Sequence, residues 1–308
     1  MRHSNWRPAV KFRSVMLLVI KTISNLVYVC IRLRNMMWRD NKLRILNYHQ
    51  ICPEKRSYPL GIATWCVSKR SFSEQMKILY VGGYNVMSVS EALKYLETGT
   101  PFPNKAVAIT FDDGYQNNYS YAFPELVRYG IKATFYLTTG YIDKDMLFNW
   151  IKPVSNDDDL LFRKALNWQE IEEMRKYGME FGSHSHTHPD FAKLERSQID
   201  SELGKSLHLL TEHMAIIEKS FVVSFGIWGN SSVILKELLE EHGYTGAFLG
   251  RFGAVTHKMN RFDLPRITIY GEDSIKTFKQ KIDGAYDWFS SFHSFYHYLR
   301  GFIKNENE

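Results

Sequence analysis

The order of elements along the chain predicts an α/β fold arranged as a (β/α) barrel, and three observations carry that prediction. From Leu43 onward, short apolar or β-branched runs alternate with amphipathic stretches, in about seven units. Several of the amphipathic stretches end on glycine, the residue that lets a helix close before the chain returns to a sheet. The polar clusters that carry chemistry follow directly on strand runs, and barrel enzymes keep their chemistry at the carboxyl ends of parallel strands.

Taken in order, LRILNYH (43–49) reads as a buried strand, and FSEQMKILYVGGYNV (72–86) as a helix stopped at Gly82-Gly83 that leads into another strand. AVAITFDDG (106–114) is a β-branched run ending in two carboxylates and a glycine. A helix follows from about Tyr121 to Arg128, with Pro124 near its start and Gly130 just after it. ATFYLTT (133–139) is the next strand. IEEMRKYG (171–178) is a helix closed by glycine before the strand MEFGSH (179–184). VILKELLEEHGY (233–244) and AFLG (247–250) repeat that order, and RITIYG (266–271) supplies a late strand.

Composition bounds the class. In 308 residues, 44% apolar content suffices for a real core, and with 23% charged residues and no recurring period the chain is neither a disordered tail nor a fibrous repeat. Aromatic residues reach 15%, which suits either core packing or stacking on a sugar or base. Charge is uneven. Residues 1–44 hold ten Lys or Arg against one acid, Asp40, a net of +9, so the remainder carries −3. A body without excess positive charge argues against a nucleic-acid partner.

Within the basic segment, VMLLVIKTISNLVYVCIRL (15–33) is apolar but interrupted by Lys21, Thr22, Ser24 and Asn25. On a helix, Ser14, Lys21, Asn25, Tyr28 and Arg32 form a polar stripe, with Val15, Leu18, Val19, Leu26, Val29 and Leu33 opposite. Three readings are open: a helix lying in the headgroup plane of an anionic leaflet, a weak spanning anchor, or a helix packed on the domain. We expect membrane association through residues 1–42, a folded α/β domain from Leu43 onward and a C-terminal amphipathic helix over 286–308, where Trp288, Phe292, Phe295, Leu299, Phe302 and Ile303 recur at helical spacing. The absence of a small-residue cleavage site, with cysteines (Cys30, Cys52, Cys66) that look unpaired, favours the cytoplasmic face, although Cys52 and Cys66 are able to pair if the compartment is oxidising.

Two clusters point to metal-assisted hydrolysis. In Thr110-Phe111-Asp112-Asp113-Gly114, adjacent carboxylates past a buried strand repel each other unless a cation or proton offsets them. Successive side chains off a strand end point different ways, so one Asp can bind metal while the other faces substrate; a pair of helix caps is the competing reading. In Gly182-Ser183-His184-Ser185-His186-Thr187-His188-Pro189, one helical turn would set His184 and His188 on one face for chelation, with His186 a support or surface residue. Two His and one carboxylate leave coordination positions open, as a hydrolytic site requires.

These residues resemble the polysaccharide deacetylases of the NodB-homology type, carbohydrate esterase family 4, whose signatures are T-F-D-D-G at a strand end and an H-S/T-x-x-H turn. ILNYHQI (45–51), YGIKATFYLTTGYI (129–142) and FDLPRITIYG (262–271) extend the likeness over roughly residues 43–285. The resemblance implies a distorted (β/α) barrel and metal-dependent removal of acetyl groups from an N-acetylated glycan. It implies Asp113, His184 and His188 as ligands of a divalent metal, zinc or else cobalt or another divalent ion, and Asp112 as the base that takes a proton from the attacking water. In the family, a third motif with Pro-Tyr-Gly supplies a backbone N–H to the oxyanion. The similar stretch here keeps Phe225-Gly226 and Trp228, but Ser224 replaces the proline and no arginine precedes it.

The family uses an arginine to orient its base, and Arg266 is the candidate to orient Asp112, a surface ion pair being the competing reading; in the absence of a clear Leu-x-His motif His257 is the candidate general acid, an exposed loop histidine being the competing reading. Tyr115, Tyr119, Trp150, Trp168 and Trp228 are candidates to stack on sugar rings. Two rival readings are a deacylase of a lipid-linked amino sugar at the membrane surface and a catalytically silent glycan-binding relative.

Overall fold

The computed structural model describes residues 6–37, 40–54, 60–153, 160, 162–214, 218–226 and 230–290. The strands are β1 (Leu43–Tyr48), β2 (Gln50–Cys52), β3 (Cys66–Ser68), β4 (Asn85–Met87), β5 (Ala106–Phe111), β6 (Thr134–Leu137), β7 (Glu180–Ser183), β8 (Ser220–Val222), β9 (Gly246–Phe248) and β10 (Ile267–Thr268). The α-helices are α1 (Trp6–Met37), α2 (Leu60–Trp65), α3 (Lys69–Val81), α4 (Val89–Glu97), α5 (Phe123–Arg128), α6 (Trp168–Lys176), α7 (Arg196–His213), α8 (Asn230–Glu241) and α9 (Ile275–Asp283). A π-helical turn, Asn118–Ala122, precedes α5, so that helix starts later than its sequence pattern suggests.

All ladders of the main sheet are parallel, in the order β10-β1-β5-β6-β7-β8-β9, with β4 pairing the lower half of the β5 edge that β6 pairs above. Parallel strands covered by helices are buried on both faces, and β1 and β5 are buried along their whole lengths. The strand period of two divides the core. Val107, Ile109 and Phe111 of β5 face outward to α3 and α5, whereas Ala106 and Ala108 face inward. Outside, Tyr48, Phe111, Phe135 and Phe181 form a run of stacked rings across β1, β5, β6 and β7, with neighbouring centroids 5.3, 4.7 and 5.7 Å apart. Each such fully buried ring contributes roughly 1.5–3 kcal/mol.

The barrel is distorted where β9 and β10 would close it. No ladder joins them among the described residues; instead Phe252 bridges Arg266, Val255 bridges Leu43, and Leu264 N–H donates to Ala247 O. With β10 only two residues long, the segment before it spans the gap.

The strand pair β2–β3 was not legible in the sequence. Its parallel register brings the Cα atoms of Cys52 and Cys66 to 5.8 Å, and their sulfurs are bonded. Of the two readings the sequence left open for these cysteines, the structure takes the Cys52–Cys66 pair over the unpaired one; among the described residues Cys30 is the free one, and it is exposed.

Helix α1 lies along α9. Tyr28 Oη donates to Asp283 at 2.9 Å, Gln280 Nε2 donates to Asn25 at 2.9 Å, and Trp288 Nε1 donates to Ser24 at 3.2 Å, while Ile20 packs on Ala285 and Tyr286. Burial and the Asp283 carboxylate push the Tyr28 hydroxyl up to about 12. Of the C-terminal stripe, Trp288 takes part in this contact; Phe292, Phe295, Leu299, Phe302 and Ile303 lie outside the described residues.

Candidate active site

The same period of two that buries Ala106 and Ala108 inside the barrel carries Thr110 and then Asp112 inward. Asp112 extends the β1–β5 ladder by one step, its N–H donating to Tyr48 O at 3.0 Å. Its carboxylate then meets Arg266, whose two terminal nitrogens each donate to one carboxylate oxygen at 2.7 Å. Arg266 also donates to Thr110 Oγ1 at 3.2 Å, and Thr110 in turn donates to Leu46 O. Burial alone would raise the Asp112 carboxyl, but the Arg266 charge and its hydrogen bonds outweigh that and hold it below the usual carboxylate range. The pair thus favours the ionised form of Asp112 in a buried position.

Asp113 turns the other way through a left-handed backbone, φ 72°. Its Oδ1 lies 3.0 Å from His184 Nε2 and 3.2 Å from His188 Nε2. The two histidines do not sit on a helical turn, as the spacing suggested. The loop after β7 instead passes through left-handed residues at Ser185 and His188, φ 68° and 62°. Side chains pin it: His188 N–H donates to Ser185 Oγ at 3.0 Å, and Glu202 of α7 accepts from the N–H groups of His186 and Thr187 at 2.9 and 2.8 Å. Thr139 and Gly140 donate their N–H groups to the carbonyls of Ser185 and His186, and His186 Nδ1 meets Thr139 Oγ1 at 3.1 Å.

The donor set fits a divalent cation. His184 Nδ1 is 2.7 Å from Val222 O, and because a carbonyl only accepts, that nitrogen carries the hydrogen and Nε2 presents a lone pair. Asp113 Oδ1 is buried and has no hydrogen-bond donor among the described residues, although both imidazole nitrogens face it. Lone-pair atoms so close repel unless a cation sits between them. Two nitrogens and one oxygen, all within 4.8 Å of one another, are a set suited to zinc and related transition metals.

Sequence reasoning missed His49, the residue after β1. Its ring lies 4.5 Å from Trp65, and Nδ1 is buried without a partner among the described residues. Burial lowers its pKa against the pull of Asp113 and Asp112, with Arg266 and His184 adding to the lowering. It therefore lies within electrostatic reach of Asp113, Asp112, Arg266 and His184. A lone histidine after a strand has no spacing that marks it. His257 goes elsewhere: Val255, two residues before it, bridges Leu43 at the amino end of β1, roughly 16 Å of strand away from the cluster.

The aromatic candidates divide. Trp150 stacks on His188 at 4.1 Å and Phe225 meets the same ring edge-on at 4.9 Å. Phe225 is 69% exposed, held left-handed at φ 61° beside Gly226 in the turn after β8, where Ser224 Oγ donates to Pro189 O. Tyr115 is 3% exposed, packed edge-on against Phe148, and its hydroxyl accepts from Trp150 Nε1 at 3.1 Å, so it supports Trp150 and offers no stacking face. Trp168 and Tyr119 stack on His213 and Phe123 instead, and Trp228 lies outside the described residues. On the His49 side, Trp65 and Tyr270 form a second aromatic pair, 5.5 Å apart.

Residues 99–247 match the family model described as polysaccharide deacetylase. The chain is 26% identical over 271 residues to the poly-beta-1,6-N-acetyl-D-glucosamine N-deacetylase of Staphylococcus aureus, with 82% of this chain and 87% of that one covered. It is 25% identical to the Staphylococcus epidermidis enzyme of the same name, at 82% and 86% coverage. Among solved structures it is similar to the Streptococcus pyogenes deacetylase PplD in complex with acetate (TM-score 0.65, 23% identity, 78% of this chain and 98% of that one) and to IcaB from Ammonifex degensii (TM-score 0.65, 21% identity, 80% and 98%).

Proposed function

We propose that the chain is a carbohydrate N-deacetylase of the polysaccharide deacetylase family, and that it removes acetyl groups from a β-1,6-linked N-acetylglucosamine polymer in a reaction that depends on a divalent cation, zinc by preference. The polymer is the one named for the staphylococcal relatives. The observation that carries the metal dependence is the convergence of His184 Nε2, His188 Nε2 and Asp113 Oδ1 within 4.8 Å of one another. When bound there, the cation supplies Lewis acidity toward the acetyl carbonyl and acidifies water.

The chain's own residues do the rest. Asp112, kept ionised by Arg266, accepts the proton of the attacking water. His49, in its protonated form, delivers a proton to the departing sugar nitrogen as the amide C–N bond breaks, which releases acetate and a free amine, and the proton held on Asp112 passes back to His49 to restore both groups. The turn at Phe225-Gly226 stands beside His188, where a backbone N–H would face the oxyanion. Trp65 with Tyr270 on one side and Trp150 with Phe225 on the other give the sugar chain two aromatic walls. The reaction belongs to polysaccharide modification, and the Cys52–Cys66 bond supports its taking place on an oxidising side of the membrane, against the cytoplasmic preference read from sequence.

The test is acetate release from β-1,6-linked N-acetylglucosamine oligomers by protein stripped with chelator and reloaded with zinc or cobalt. Release that follows the metal and vanishes in Asp112→Asn supports the reading. Metal-independent release refutes it.

A further inference from the structure

Helix α1 turns its two stripes the opposite way to a free amphipathic helix on a soluble domain. Asn25, Tyr28 and Ser24 are engaged by α9 and the residues after it, while Leu18, Val19, Leu26, Val29 and Leu33 stand 66, 50, 73, 64 and 55% exposed. At 3.6 residues per turn those five side chains fall within about 100° of arc, a continuous apolar strip. Thr22 lies in the same strip, and its hydroxyl is satisfied by Leu18 O at 2.9 Å. No described helix is long and apolar enough to cross a membrane.

We propose that this strip docks into the interface of an anionic lipid leaflet, with α1 lying in the membrane plane as a rigid mount for the barrel. Charge selects lipid over a second copy of the chain. Residues 1–44 carry a net of +9, so two copies meeting strip to strip would bring like charges together, whereas anionic headgroups neutralise them. Beside the strip, a cleft of about 690 Å³ between α1, α3 and α9 is lined by Arg32, Lys77, Lys105 and Lys279 against Glu74 and Asp283, an electropositive border for headgroups, with Arg44 buried on Asp40 and Asp287.

The mount also sets an orientation. Tyr28–Asp283 and Asn25–Gln280 share one sequence offset, so α1 runs parallel to α9, down the flank of the barrel from its carboxyl to its amino end. With α1 in the membrane plane, the barrel lies on its side and the catalytic mouth opens across the lipid surface.

The experiment uses the full chain with vesicles of phosphatidylglycerol or phosphatidylcholine. Cosedimentation should occur with the anionic vesicles, weaken as salt rises, and fall at least ten-fold in Leu26→Glu/Val29→Glu. Neither residue touches the barrel or the active site, so acetate release from soluble oligomers should stay unchanged in that variant. An environment-sensitive dye on Cys30, at the edge of the strip, should shift to the blue with anionic vesicles. Undiminished sedimentation of the double variant, an unshifted dye, or a wild-type dimer that ignores lipid and becomes monomeric in the double variant would each overturn the proposal.

Discussion

Arg266 grips Asp112 through two parallel hydrogen bonds of 2.7 Å inside the barrel, 154 residues apart in sequence, with both side chains less than a tenth exposed. A planar guanidinium matched to a carboxylate is a pairing that lysine does not reproduce. The pair holds the Asp112 pKa below its ordinary value, because the Arg266 charge and hydrogen bonds outweigh the burial that would raise it. Arg266→Lys should move the acid limb of the kcat/KM profile to higher pH and lower the plateau by about a hundred-fold. The measurement is the pH–rate profile of both proteins. Arg266→Ala leaves a buried unpaired carboxylate and should cost about 3–5 kcal/mol of stability, read by denaturant titration.

His49 and His257 separate by the same assay. His49→Asn should lower kcat by about a hundred- to ten-thousand-fold with zinc affinity unchanged, since His49 is not among the converging donors. His257→Asn should leave both untouched, because that residue sits toward the opposite end of β1.

Gly140 tests the support of the histidine loop. A Cβ built there would lie 2.6 Å from His186 O, the carbonyl to which Gly140 N–H donates. Gly140→Ala should push the loop off its register and weaken zinc binding by about ten- to a hundred-fold, measured by calorimetric titration.

Glu218 reports on stability against pH with a sign opposite to most carboxylates. It is 8% exposed, and burial with the nearby Glu180 charge raises its pKa to about 7. An acid whose folded pKa exceeds its unfolded value of 4.5 binds more protons in the folded state between the two, so its contribution is full below 4.5 and is lost as pH rises toward 7. The loss is at most about 3 kcal/mol, and Glu218→Gln should flatten it in unfolding curves taken from pH 4 to 8.

Strand β5 and its Asp112-Asp113 end were legible because a β-branched run followed by two carboxylates is a local pattern. The barrel order was legible for the same reason, from runs and glycines. The path of the histidine loop was not, since Glu202, the residue that pins it, lies on another helix and no spacing links the two. His49 gains meaning only from neighbours contributed by β5, β7 and the segment before β10. Tyr115 looked like a stacking surface and is a buried prop for Trp150. The stripes of α1 were correctly placed on the helix, but which stripe meets the barrel depends on Gln280, Asp283 and Trp288, more than 250 residues later.

The central claim is that Asp113, His184 and His188 hold one catalytic cation beside an ionised Asp112. Zinc titration of chelator-stripped protein, followed on the same samples by acetate release from β-1,6-linked N-acetylglucosamine oligomers, tests it most directly. The expected result is activity that rises in step with one bound zinc per chain, zinc binding lost in His184→Ala, and binding kept without activity in Asp112→Asn. Full acetate release from the stripped wild-type protein, or unchanged zinc affinity in His184→Ala, would contradict it.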